Sequence, residues 1–189
     1  NRSYGCCIDR GSKVTIVSPS NIVDPVVGWF SFYLAMMGGF NFLSRETGEV
    51  RPYRSFYTMQ DAPGLDEFMN DLKKLSPQDD CWVISILASC GGNEPNYPEK
   101  LLCYYGAKKD DETFDDPNIT LHADSILVFQ KMFDELSNMF GLYGLATGKQ
   151  KYYANSSPKL YCRNLGYSVN ALSLRVAWGI MAWDSNAMV

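Results

Sequence analysis

The sequence predicts a mainly β domain with two short helices in its connections, and three observations carry that prediction. Short runs of β-branched and aromatic residues recur along the chain, each bounded by Pro, Gly, Asn, Asp or Ser. Two windows, and only two, show the 3.6-residue apolar period of an amphipathic helix. Aromatic residues make up 14% of the chain, with 12 Tyr, 10 Phe and 4 Trp, which favours strands and contact surfaces. A length of 189 residues, without repeat, linker or low-complexity tract, fits one domain spanning 1–189.

Taken in order, Lys13 to Ser18 (K-V-T-I-V-S) reads as a strand that stops at Pro19. Val26 to Phe42 is the most hydrophobic stretch; its aromatic richness argues strand, although its length overlaps that of a buried helix, and Gly38-Gly39 weakens the helix reading and suggests a bulge or a close backbone approach. Arg51 to Met59 reads as a further strand around Tyr53, Phe56 and Tyr57. The first helix follows Asp61-Ala-Pro-Gly and aligns Leu65, Phe68, Met69, Leu72 and Leu75, with Pro77 ending it. Trp82 to Ala88 and Leu101 to Tyr105 are short apolar strands, and Ile119 to Leu121 adds a brief one. Asp124 caps the second helix, whose face carries Ile126, Phe129, Phe133, Leu136 and Phe140 before Gly141 and Gly144 close it. Tyr152-Tyr153 and Leu160 to Cys162 flank a Ser156-Ser157-Pro158 loop, and Leu172 to Trp183 alternates as a last strand.

Composition narrows the function classes. The net charge is −4, from 17 basic and 21 acidic residues, and Asp110 to Asp116 is an acidic run, so direct nucleic-acid binding is disfavoured. No apolar run is long enough to span a bilayer. The six cysteines (Cys6, Cys7, Cys81, Cys90, Cys103 and Cys162) match no C-x-x-C pattern and read mostly as free thiols used as small hydrophobes. Asn1, Asn118 and Asn155 open N-x-[ST] sequons. The first residue is Asn rather than Met, which reads as a processed product or a fragment.

Signatures of catalysis are few. His122 is the sole histidine and reads as a structural residue beside a helix cap. Ser89-Cys90-Gly91-Gly92 follows a strand but lacks the Walker lysine and the third glycine of a dinucleotide fingerprint. Gly141-Leu142-Tyr143-Gly144 closes a helix instead of opening one, and Asp79-Asp80 and Asp115-Asp116 lack the opposed geometry of glycosidase carboxylates. The acidic run lacks the spacing of a calcium loop. The expectation is a chain that is not an enzyme, with no catalytic, cofactor-binding or metal-binding residues and no cofactor.

Three segments resemble picornavirus-like capsid proteins of the dicistrovirus, iflavirus and marine RNA virus type. Asp24 to Leu43 (D-P-V-V-G-W-F-S-F-Y-L-A-M-M-G-G-F-N-F-L) resembles their long second strand, with Met37-Gly38-Gly39 where they carry Arg-Gly. Lys151 to Pro158 looks like their Pro-Tyr-Tyr-Ser loop without the leading Pro. Leu172 to Asp184 looks like their final strand, and Asp184-Ser185-Asn186 stands in place of an Asp-Asp-Phe cleavage triplet, so that role is not carried over. The resemblance implies an eight-stranded antiparallel jelly-roll sandwich acting as a structural subunit of a non-enveloped icosahedral virion. Its partners would be other capsid subunits and a host receptor. The alternative is a secreted or viral ectodomain binding module, extracellular and held by disulfides and N-glycans.

Overall fold

The computed structural model describes residues 2–18, 25–45, 64–89, 101–104, 124–125, 128, 131–132, 134–135, 146–147 and 169–177. Their order is β1 (Gly5–Ile8), β2 (Val14–Ser18), α1 (Pro25–Gly38), β3 (Asn41–Arg45), α2 (Leu65–Leu75), β4 (Trp82–Ser89), β5 (Leu101–Tyr104), β6 (Ala146–Thr147) and β7 (Asn170–Ala177). The seven strands form one mixed sheet in the order β1-β3-β2-β4-β7-β5-β6. Its centre is parallel: β2 pairs with β3 and β4, and β4 with β7. β1 and β5 run antiparallel to the parallel strands they adjoin, and β6 runs parallel to β5.

This architecture corrects the expected jelly roll. A jelly roll packs two antiparallel sheets on each other, whereas here one sheet lies between helices. The misreading begins at α1. Its inward positions are Val27, Gly28, Ser31 and Ala35, all buried, at the spacing of a helix. They are small; of the large aromatics that suggested a strand, Phe30 packs partly buried on this core and Phe32 meets Phe42 edge-on at 5.5 Å, while Trp29 and Tyr33 point outward. Pro25 occupies the first turn, where its missing N–H costs nothing. Gly39, with φ of 66°, ends the helix: its amide reaches Met36 O at 3.3 Å and Phe40 N reaches Ala35 O at 2.9 Å, a Schellman closure. The glycine pair that read as a bulge is thus a helix stop.

α2 follows its sequence pattern. Phe68, Leu72 and Leu75 are buried, Met69 is half-buried, and the opposite side carries Asp66, Asn70, Lys73 and Lys74. β2, β4, β5 and β7 occupy the stretches that read as strands, while β1 and β6 carried too few residues to be seen. Asp124, Ser125, Val128, Lys131, Met132, Asp134 and Glu135 are helical, in agreement with the expected second helix. Its apolar stripe lies outside the described residues. So do the strands expected at 51–59 and 119–121, the segments at 152–153 and 160–162, and the end of the last strand beyond Ala177.

Alternating side chains build a core on each face. On one face Val17, Leu43, Val83 and Ala171 meet Phe68, Leu72 and Leu75 of α2, and Tyr4 joins them. On the other, Ile16, Phe42, Ile86 and Val176 meet Val27 and Ala35 of α1. The two crossovers leave β2's neighbourhood in opposite directions, β2-α1-β3 to one side and β3-α2-β4 back across β2. Crossovers of one hand must then lie on opposite faces, as these helices do. The result is an open, doubly wound α/β sheet.

Candidate functional site

In such sheets, ligands settle outside the carboxyl ends of the strands, where the strand order reverses. Here the reversal falls between β2 and β4. β2 is described to Ser18, and the residue that follows in sequence, Pro19, has no amide to donate to a ladder. Its pairing with β4 covers Val14–Val17 against Trp82–Ser85. The pairing of β4 with β7 continues much further, to Ser89 against Ala177. The sheet therefore has a step at its carboxyl edge. Leu87, Ala88 and Ser89 run past Ser18 by about 10 Å at the usual strand rise. Among the described residues, no strand pairs with this part of β4 on the side away from β7.

The foot of the step is rich in buried hydroxyls. Ser18 and Ser44 are paired in register and fully buried. Ser85 and Ser173 are also register neighbours, on the α2 face, and both are fully buried. Among the described residues, the Oγ atoms of Ser85 and Ser173 have no hydrogen-bond partner, and neither has Ser31 Oγ on α1. A buried polar group without a partner is uncommon and calls for a reason. Ser85 stands two strand positions before Leu87, with its hydroxyl buried on the α2 face.

A second polar cluster sits at the opposite flank, and it is structural. The Asp71 carboxylate, 3% exposed, accepts hydrogen bonds from Tyr4 Oη at 2.8 Å and Arg2 Nε at 2.8 Å, with Lys74 Nζ at 3.5 Å. Burial, and then the hydrogen bond to Asp71, push the Tyr4 hydroxyl far above its ordinary range, so it stays protonated and donates. Tyr4 also packs edge-on against Phe68, with ring centroids 5.1 Å apart. Glu67 takes the Ser3 hydroxyl and, at 2.9 Å, the Ser3 amide. Burial, with Asp71 adding to it, pushes the Cys7 thiol up, so it is held as the neutral thiol. This cluster fastens the N-terminal segment to α2.

A third feature is the outer face of α1. Trp29 is 75% exposed, Met37 71%, Tyr33 60% and Phe32 36%. The helix carries no charged residue from Pro25 to Gly38. Helices with apolar residues all round are normally covered on all sides.

The structure places the residues singled out from sequence as follows. Asp79 and Asp80 lie in an exposed turn, and Asp80 pairs with Lys13, so they form a solvated ion pair. Cys6, Cys7 and Cys81 form no disulfide among the described residues and pack against the two cores, in keeping with their reading as small hydrophobes. His122, Asp110–Asp116, Gly141–Gly144 and the sequons at Asn1, Asn118 and Asn155 lie outside the described residues. Cys90, Gly91 and Gly92 do too, but they directly follow Ser89, the last residue of the step. Among the described residues, no three His, Cys, Asp or Glu side chains gather as metal ligands, and no helix is long and apolar enough to cross a membrane. No protein family, curated protein or solved structure matches this chain.

Proposed function

We propose that this chain is a binding domain, not an enzyme, and that it seats an extended polypeptide segment on the step between β2 and β4. The observation that carries the reading is the run Leu87–Ser89, which pairs with β7 on one side and, among the described residues, with no strand on the other, at the reversal of strand order. An exposed strand edge recognises extended chain through main-chain hydrogen bonds, with neighbouring side chains giving selectivity. At the foot of this edge the register neighbours Ser18 and Ser44 are buried on the α1 face and Ser85 and Ser173 on the α2 face, so contact with a seated segment comes from the β4 backbone. Recognition here rests on hydrogen bonds more than on charge.

The test is amide mapping by NMR while the 189-residue chain is titrated with a library of short extended peptides. Shifts should concentrate at Ser18 and Leu87–Ser89. Shifts confined to Val14, Trp82 and Asn170, at the amino ends, would overturn the reading.

The shell-forming role implied by the capsid resemblance drew on two packed antiparallel sheets. An open α/β sheet withdraws that support, so the role stands behind binding, and spherical particles of native material seen by electron microscopy would bring it forward.

A further inference from the structure

The outer face of α1 does not belong to the step, and its chemistry points to a different partner. We propose that it is a self-association surface, on which a second copy of this chain packs α1 against α1 across a two-fold axis.

Three observations select a second copy. The first is area. At about 150–250 Å² per large aromatic side chain, the exposed fractions of Trp29, Phe32, Tyr33 and Met37 amount to roughly 500 Å² per protomer. Doubled by symmetry, that reaches about 1,000 Å², the least a specific interface should bury, so the row alone accounts for a weak dimer and flanking residues enlarge it. The second is charge. α1 has no acidic or basic residue, so two copies meet without like-charge repulsion, although each chain carries −4 overall. The nearest described cation is Arg10, whose Nη2 lies 2.9 Å from Met36 Sδ, on the sheetward shoulder of the helix.

The third is pattern. Trp29, Tyr33 and Met37 stand four residues apart on one row of the helix, spanning about 12 Å. A two-fold axis through Tyr33 sets the two tyrosines against each other and brings each Trp29 onto the partner copy's Met37. Rows spaced by four interdigitate in the commonest mode of helix packing, and thioether–aromatic contacts are favourable. An isologous contact needs a face that complements itself, and this row has large aromatic and flexible sulfur-bearing ends disposed symmetrically about its centre.

The test is sedimentation of the full chain from about 1 to 100 μM, beside Tyr33→Glu and Met37→Glu. The parent should move from 21.3 kDa toward twice that mass. Each variant should weaken dimerisation by about 30-fold or more, the mark of an interface hot spot, with an unchanged far-UV circular dichroism spectrum. Tyr33→Cys should also cross-link to itself under mild oxidation, while Asp66→Cys, on the exposed side of α2, should not. A parent that stays monomeric at 100 μM, or a dimer that tolerates both glutamates, overturns the proposal.

Discussion

The two helices lie on opposite faces of one sheet and are built on opposite plans. α2 turns Phe68, Leu72 and Leu75 inward and shows charge to solvent. α1 turns Val27, Gly28, Ser31 and Ala35 inward and shows aromatics to solvent. In α2 the hydrophobic effect alone sets the orientation. In α1 close approach to the sheet sets it: small side chains let the helix backbone settle near Ile16 and Phe42. Hydrophobicity locates a core only where partner surfaces are already accounted for, and the outward face of α1 is the exception here.

That contrast can be broken most directly by truncating one large residue on each helix. Phe68→Ala should cost about 3–5 kcal/mol of stability, as for other buried aromatics. Trp29→Ala, measured by urea unfolding at a concentration where the chain is monomeric, should change stability by no more than about 0.5 kcal/mol. Equal losses would mean that the outer face of α1 is core after all. Next in size is Asp71→Asn, which exchanges the charged acceptor of Tyr4 and Arg2 for an amide and should cost about 1.5–3 kcal/mol in the same assay.

The helix boundaries sharpen the comparison. Gly64 precedes α2 with φ of 75°, and a Cβ there would lie 2.9 Å from Tyr4 Cβ. Gly39 ends α1 with φ of 66° and open space around it. Gly64→Ala should therefore cost more than the roughly 1–2 kcal/mol that left-handed backbone alone imposes, and Gly39→Ala no more than that. Thermal unfolding of the two variants side by side decides it. The smallest effect is electrostatic. Hydrogen bonds from Ser3, first from its hydroxyl, hold the Glu67 carboxyl below its ordinary value of 4.5. Its contribution to stability is then present above about pH 4.5 and fades as pH falls through the lowered folded value. Glu67→Gln should flatten the acid limb of the melting-temperature profile below pH 4.5, because the small stabilisation it removes is the one present at neutral pH, where the melting temperature should fall slightly.

Much of the fold was legible where local pattern decides structure. β2, β4 and β7 announced themselves through Val, Ile and Leu, and α2 through its stripe. The run W-V-I-S-I-L-A also carried an unused signal, since a strand apolar on both faces belongs to a buried parallel sheet more than to a sandwich. α1 was misread because its aromatics outweighed the quiet i, i+4, i+8 spacing of Val27, Ser31 and Ala35. The jelly-roll reading grew from that error, for the segment compared with a long capsid strand is mostly helix. Of the candidate site, Pro19 and the stretch Ser89-Cys90-Gly91-Gly92 were visible as residues. Their significance depends on strand order, which is fixed by pairings such as Val17 with Ser85, 68 positions apart, and no local window contains such a pairing.

The buried bond between Tyr4 and Asp71 has a consequence for the timetable of synthesis. The two residues are 67 positions apart, which at ordinary translation speed separates their emergence by roughly 3–13 s. β1 can pair with β3 once Arg45 has left the ribosome, but Tyr4 has no pocket until Phe68 and Asp71 arrive. Tyr4 is thus made well before its pocket, and the nascent chain spends that interval with Tyr4, Cys7 and Leu43 uncovered on the face that α2 will later close.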